Sequence, residues 1–379
     1  MKIATPEELS ANLQRAERYL AIDPANPILL ANAIDASMAL GRVDVALKHA
    51  QAAIAQRPDD RFVANRYGSV LIAHGQLDEA ARVFEKLSTQ TADPAVAFNL
   101  ALVYFRQGRY AQARSAFEPH MGQEGISPAA VTLFVRTLHH LDEIEQAVEL
   151  VQQHETRCSG DADFLAAASL LYLDNDQLEA AQRFSEAALA LGKRPLEALV
   201  VGGSVALAHD DPAAAKTMFN DAVSVSPTDG RSWPSLGMVS LLTGELSDAR
   251  DQLLHAVDKL PADIGSWHAL GWCQIAGGEL AGAGHTFRKV IALDRSVAES
   301  HGGLAVVDAL LGRKSEAEAG IERALRLDSE GLSAKYAQMV LSGVSSDPDK
   351  FRKLALGIIS TRPGHMRAML AQALAKRER

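Results

Sequence analysis

Apolar residues recur along this chain at helical spacing. Val96, Leu100, Val103 and Tyr104 share one helix face, and Ala113, Ala116 and Phe117 share another. Gly108 stands between the two runs, and glycine returns at the same place as Gly41, Gly75, Gly244, Gly278 and Gly312. An alanine lies five residues after each: Ala46, Ala80, Ala113, Ala249, Ala283 and Ala317. The pattern predicts paired helices, with glycine ending the first helix where a positive φ is needed. Small residues then mark close helix approach, and large apolar ones fill the space between. Carboxylates in "LDEA" (77–80) and "LSDA" (246–249) stand where a second helix begins, which favours its N-terminal dipole. Pro234 falls near the first turn of its helix, where a missing N–H is tolerated.

The unit is about 34 residues long and recurs nearly end to end. Copies begin at Pro27, Arg61, Pro94, Pro128, Asp161, Leu196, Gly230, Ile264, Ala298 and Leu332, and many close on proline, as at Pro58, Pro227, Pro261 and Pro363. The unit from Gly230 offers Trp233, Leu236, Gly237, Gly244, Ala249, Ala256 and Pro261; the next offers Trp267, Leu270, Gly271, Gly278, Ala283 and Phe287. Asp142 and Asp210 replace the loop glycine, and Phe351 the alanine of the last copy. In these residues and their spacing the chain resembles the tetratricopeptide repeat (TPR) family over almost its whole length.

The resemblance implies an all-α fold, a right-handed α–α superhelix, here a solenoid of about ten repeats with partial repeats at both ends. Residues 1–26 form an N-terminal partial repeat whose helix spans 6–22, residues 27–365 the ten units, and 366–379 a capping helix ending in Lys376, Arg377 and Arg379. "PHMGQEGISP" (119–128) is rich in helix breakers and is expected to be a hinge; "SGVSSDP" (342–348) reads as a loose turn.

Composition narrows the function. A chain of 379 residues with 47% apolar content sustains a continuous core, and a solenoid grows by addition without domain boundaries. A net charge of −9 argues against binding nucleic acid over the whole surface. Cys158 and Cys273 fall in units too far apart for a disulfide, which points to a reducing, cytoplasmic setting. No apolar run reaches the 18 residues of a membrane span, and the N-terminus lacks a signal-peptide core.

Motifs of catalysis and metal binding fail one by one. "HETRCSGDAD" (154–163) gathers His154, Glu155, Cys158, Asp161 and Asp163, yet matches no zinc spacing and reads as a polar inter-repeat loop. His139 and His140 are adjacent in a helix and diverge, as solvated residues do. "DNDQLE" (174–179) echoes a calcium loop only at its start, and "GGELAGAGHTF" (277–287) has neither a phosphate-binding glycine pattern nor a lysine. No enzymatic activity, cofactor or metal is expected.

What remains is a surface. In the family the first helix of each unit lines the concave face. Threading those inner addresses gives Asn32, Asp35, Asn65, Arg66, Phe98, Asn99, Phe105, Arg106, Arg136, His139 and His140 in the first four units. Later units contribute Leu165, Val201, Met238, Leu241, Trp272, Val306 and Tyr336. Asparagine amides can pair with an extended peptide backbone and arginine can hold a carboxylate bidentately. A solvated face accounts equally well for the charged stripe, and core packing for Trp272 and Met238. Some members of the family clamp chaperone tails with lysine, asparagine and arginine; Asn32 and Arg66 fit such a clamp, but Phe62 replaces the lysine.

The reading is therefore a non-enzymatic scaffold or adaptor that holds a peptide segment or partner helix, acidic in character, in its groove. The alanine-rich repeats suit a secretion or assembly chaperone. A regulatory or substrate-guiding subunit for an enzyme such as a glycosyltransferase would show a long inner asparagine ladder, and here the ladder stops at Asn99. Self-association is the third reading, with one copy's terminal helix in the next copy's groove.

Overall fold

The computed structural model describes residues 5–342 except 124, 229 and 231; every regular element among them is helical. It divides into two compact units that meet at Thr156 and Arg157. The first holds α1 (Pro6–Leu20) and the pairs α2 (Pro27–Ala39) with α3 (Val43–Gln56), α4 (Arg61–His74) with α5 (Leu77–Ser88), and α6 (Pro94–Arg106) with α7 (Tyr110–Phe117). It continues through α8 (Pro128–His140) into α9 (Ile144–Cys158), which crosses the division. The second holds α10 (Ala162–Asp174) with α11 (Leu178–Ala190), α12 (Leu196–Ala208) with α13 (Pro212–Val225), and α14 (Ser232–Thr243) with α15 (Leu246–Lys259). It ends with α16 (Ile264–Ala276) and α17 (Leu280–Leu293), α18 (Ala298–Leu310) and α19 (Lys314–Leu327), and α20 (Leu332–Leu341). Each unit is an all-α stack of helix pairs, as the repeat predicts. The capping helix expected over 366–379 and the turn over 342–348 lie outside the described residues, apart from Ser342.

Aspartate or asparagine stands directly before the first helix of several repeats. Asn26, Asp60, Asp93, Asp161 and Asp263 each accept a backbone N–H from the first turn of the following helix. Most second helices start differently, although Asp211 caps α13 through Ala214 N. Arg42, Gln76, Arg109, Gln177 and Glu245 make no side-chain cap, and acids such as Asp44 and Asp78 instead sit in the first turn.

The link between the two helices is one tight reversal repeated. Gln76 N donates to Leu71 O at 2.9 Å across Gly75, whose φ is +85°. Asp142, Asp176 and Asp210 occupy the same left-handed place with φ of 61°, 55° and 60°. Aspartate tolerates that conformation better than most residues, at a cost of about 1 kcal/mol against glycine.

Burial separates the two kinds of helix. First helices are packed on several sides: α6 buries Val96, Ala97, Leu100, Ala101, Val103 and Tyr104. A second helix such as α5 buries one stripe, Ala80, Ala81, Phe84 and Leu87. The pairs lock through glycine against a large side chain. A Cβ on Gly68 would stand 2.6 Å from the Phe84 ring, and Gly203 meets Phe219, Gly237 meets Leu253 and Gly271 meets Phe287 in the same way. Each such phenyl ring is fully buried and contributes about 2–3 kcal/mol.

One second helix is short. α7 stops at Phe117 because Pro119 follows, and a 3-10 turn, Glu118–His120, takes its place. The expected soft segment thus breaks helix geometry inside the first unit, whereas the division between units lies at Thr156–Arg157. The metal-like segment 154–163 is not a loop throughout. His154, Glu155 and Cys158 belong to α9 and Asp161 caps α10.

Candidate partner-binding face

In the first unit α2, α4, α6 and α8 lie side by side as a row of first helices, each touching the next. The sequence-predicted residues of units one to four project from this row. Asn32, Asp35 and Arg106 are exposed; Asn65, Arg66, Phe98, Asn99, Phe105, Arg136 and His139 are half-buried.

Their interactions revise the expected charged stripe. Arg66 does not wait open for a ligand, because it grips Asp35 of the preceding unit with Nε–Oδ1 at 3.1 Å and Nη2–Oδ2 at 3.2 Å. The bond to Asp35 holds the guanidinium above its ordinary pKa. Arg106 donates through Nη1 to the carbonyl of Ile72 at 3.1 Å, which fixes the head group while leaving the side chain exposed. The asparagines meet each other: Asn99 Nδ2 donates to Asn65 Oδ1 at 3.3 Å across α4 and α6. Among the described residues the Nδ2 of Asn65 and the Oδ1 of Asn99 have no partner. The pair therefore presents one donor and one acceptor side by side, the complement of a single peptide group.

Two aromatic residues, Phe98 and Phe105, share α6 with Asn99. Phe98 meets Phe117 edge to face at 6.1 Å. Phe105 packs against Tyr110 at 5.3 Å and His140 at 5.4 Å, and the Tyr110 and His140 rings stack at 4.3 Å, nearly parallel. His140 is exposed, as expected of a solvated residue, and its ring also stacks on Tyr110, a contact between the ends of α7 and α8 that no local spacing reveals.

The second unit departs from expectation more sharply. Leu165, Val201, Met238, Leu241, Val306 and Tyr336 are buried, and Trp272 is 0% exposed. Trp272 packs against Phe287 at 5.9 Å and Tyr336 at 6.4 Å within the core. Trp272 is thus no groove residue, and the apolar floor is the interior of the stack. Neighbouring helices cover these first helices so closely that Gly302 faces the Ser333 Cβ with no room for a Cβ of its own.

Reactive groups are sealed as well. His268 Nε2 lies 2.8 Å from Ser300 Oγ, but Ser300 is 0% exposed and no substrate can reach it. Cys158 and Cys273 are free and buried, and burial above all pushes the Cys273 thiol up to about 11. Among the described residues no three His, Cys, Asp or Glu side chains converge to hold a metal ion, and no helix is long and apolar enough to cross a membrane.

Known proteins match at the level of this architecture. A tetratricopeptide repeat family model matches residues 31–97 and 200–264, and that of anaphase-promoting complex, cyclosome, subunit 3 matches 73–154. No curated protein matches the sequence. Among solved structures, a monomeric mutant of IFIT1 with Gppp-AAAA aligns with 100% of this chain and 96% of its own at 13% identity and a TM-score of 0.53. YrrB, described as a TPR protein with an unusual peptide-binding site, aligns with 50% of this chain and 96% of its own at 22% identity and a TM-score of 0.43. MamA aligns with 41% and 91% at 18% identity and 0.39. Repeat period and glycine-locked helix pairs agree with these family models, which mark the matched stretches as tetratricopeptide-type repeats.

Proposed function

We propose that this chain is a non-enzymatic scaffold that holds an extended peptide segment of a partner protein along the first-helix row α2, α4, α6 and α8. The fold is that of TPR protein-interaction scaffolds, and the second unit supports the choice of surface by burying its own inner addresses. The observation that carries the reading is the Asn65–Asn99 pair. It aligns a spare amide donor with a spare acceptor on neighbouring helices, and each good hydrogen bond to a peptide backbone is worth about 1 kcal/mol.

An acidic partner fits best, through Arg106, with the Arg66–Asp35 pair already neutralised. Partly exposed charges are screened, so binding falls as salt is added. The buried free thiols favour a reducing, cytoplasmic setting. To test the reading, peptides are selected from a displayed library on the intact chain. Their affinities are then compared between the parent and the Asn65→Ala/Asn99→Ala double variant. The reading predicts a loss of about 1–3 kcal/mol with an unchanged circular dichroism melt. Equal affinity for both proteins would refute it.

A further inference from the structure

The early end of α7 opens a cavity in the first unit. α7 runs 8 residues where α3 runs 14, and the 3-10 turn Glu118–His120, with Pro119, follows it. Between α6, α7 and α8 the space left is about 290 Å³, walled by Pro94, Ala95, Phe98, Phe117, Ile126 and Ala130. Between α2, α3 and α4, Pro27, Ala31 and Val63 hold the same repeat addresses as Pro94, Phe98 and Ala130. There the last turn of α3, with Ala53, Gln56 and Arg57, closes in, and only about 30 Å³ remains. The larger cavity thus follows from one proline.

The chemistry of the wall selects an occupant. Phe98 and Phe117 stand edge to face at 6.1 Å, so the cavity is lined by aromatic rings. Pockets that enclose a whole ligand run upward from about 300 Å³, so this one suits a single large side chain. An aliphatic side chain would leave part of the wall without contacts, whereas a flat ring extends the aromatic packing. Two polar side chains complete the wall, Gln123 and Ser127. Ser127 Oγ is committed to capping α8, where it accepts Ala130 N at 3.3 Å. Gln123 Nε2 lies 3.0 Å from His120 Nδ1, and among the described residues its Oε1 has no partner. The wall therefore offers one spare acceptor. An indole matches it, being a large flat ring with a single donor and no acceptor of its own.

We infer that this cavity receives a tryptophan side chain of the partner peptide, with the indole N–H donating to Gln123 Oε1. Phe98 immediately precedes Asn99 in α6, so the cavity adjoins the Asn65–Asn99 pair that meets the peptide backbone. The inference rests on the reading of the first-helix row as the partner surface. It adds the side chain that the peptide inserts beside that row.

The probe is N-acetyl-5-fluorotryptophanamide, one side chain flanked by two peptide groups, observed by fluorine NMR with the intact chain. Its resonance should broaden as protein is added, and unlabelled N-acetyl-tryptophanamide should reverse the broadening. N-acetyl-leucinamide should compete at least about tenfold less well, the scale of the apolar area and aromatic packing it lacks. N-acetyl-phenylalaninamide should compete about fivefold less well than the tryptophan amide, for want of one hydrogen bond. Ala95→Trp, at an exposed position of the wall, should fill the cavity with its own ring and abolish the broadening. Gln123→Ala, on the exposed segment after α7, should bring the tryptophan amide down to the phenylalanine amide and leave the latter unchanged. Circular dichroism melts check that both variants fold; if Ala95→Trp does not, Gln123→Ala decides. The inference is overturned by any of four results: no broadening with the parent, equal competition by the leucine amide, broadening that survives Ala95→Trp, or a tryptophan preference that survives Gln123→Ala. If it falls while Asn65→Ala/Asn99→Ala still weakens the library-selected peptides, only the cavity has failed. If that double variant binds them as the parent does, the first-helix row has failed as well.

Discussion

A glycine facing a large side chain fixes how near the two helices of a repeat can come. At Gly237 a Cβ would stand 2.7 Å from Leu253 Cγ, and Ala249 in the same pair is 0% exposed. There is no space for a branched chain at either position. Gly237→Leu or Ala249→Leu should therefore lower stability by about 1–3 kcal/mol, because the helices must part or the core residues leave their rotamers. Urea midpoints equal to the parent's would remove the packing register described for α14 and α15. The substitution of aspartate at the loop address is the milder counterpart. Asp142, Asp176 and Asp210 keep the reversal but hold an L-residue at positive φ, so the fold depends on the left-handed turn more than on glycine itself.

A partly buried carboxylate of the first helix α18 has a titration consequence. Glu299 accepts from Ser333 at the start of α20, and burial above all pushes its carboxyl above the ordinary range. The folded protein thus binds this proton more tightly than the unfolded chain. The stabilisation is complete below the ordinary carboxylate pKa and disappears as pH rises through the higher folded value. Glu299→Gln removes the dependence. Its Tm should exceed the parent's at neutral pH, and the difference should shrink as pH falls into the carboxylate range. A difference that stays constant with pH would contradict the burial argument.

The same element scale shows what the sequence reveals and what it hides. Helix pairing, loop glycines and the small residues at Gly237 and Ala249 are local and periodic, so they are legible directly. The caps at Asn26, Asp60 and Asp93 are legible too, each an Asn or Asp directly before the first helical turn. Trp272 misled because an inner address counts as surface only if the neighbouring helices leave it uncovered. Nor could spacing show that Arg66 faces Asp35 or that Tyr110 stacks on His140, since both contacts join residues from different units.

At the scale of the whole chain, a net charge of −9 coexists with a first-helix row that carries Arg66 and Arg106, and with exposed Ile28 and Phe62 on α2 and α4. The second unit buries the corresponding addresses and uses its tight first-helix packing for stability. The account therefore localises recognition to the first unit. The most direct test is hydrogen–deuterium exchange of the intact chain with and without a peptide selected on it. The account predicts slower exchange in α2, α4 and α6, and in the segment after α7, with the second unit unchanged. Protection concentrated in α14, α16 and α18, with none in the first unit, would contradict it.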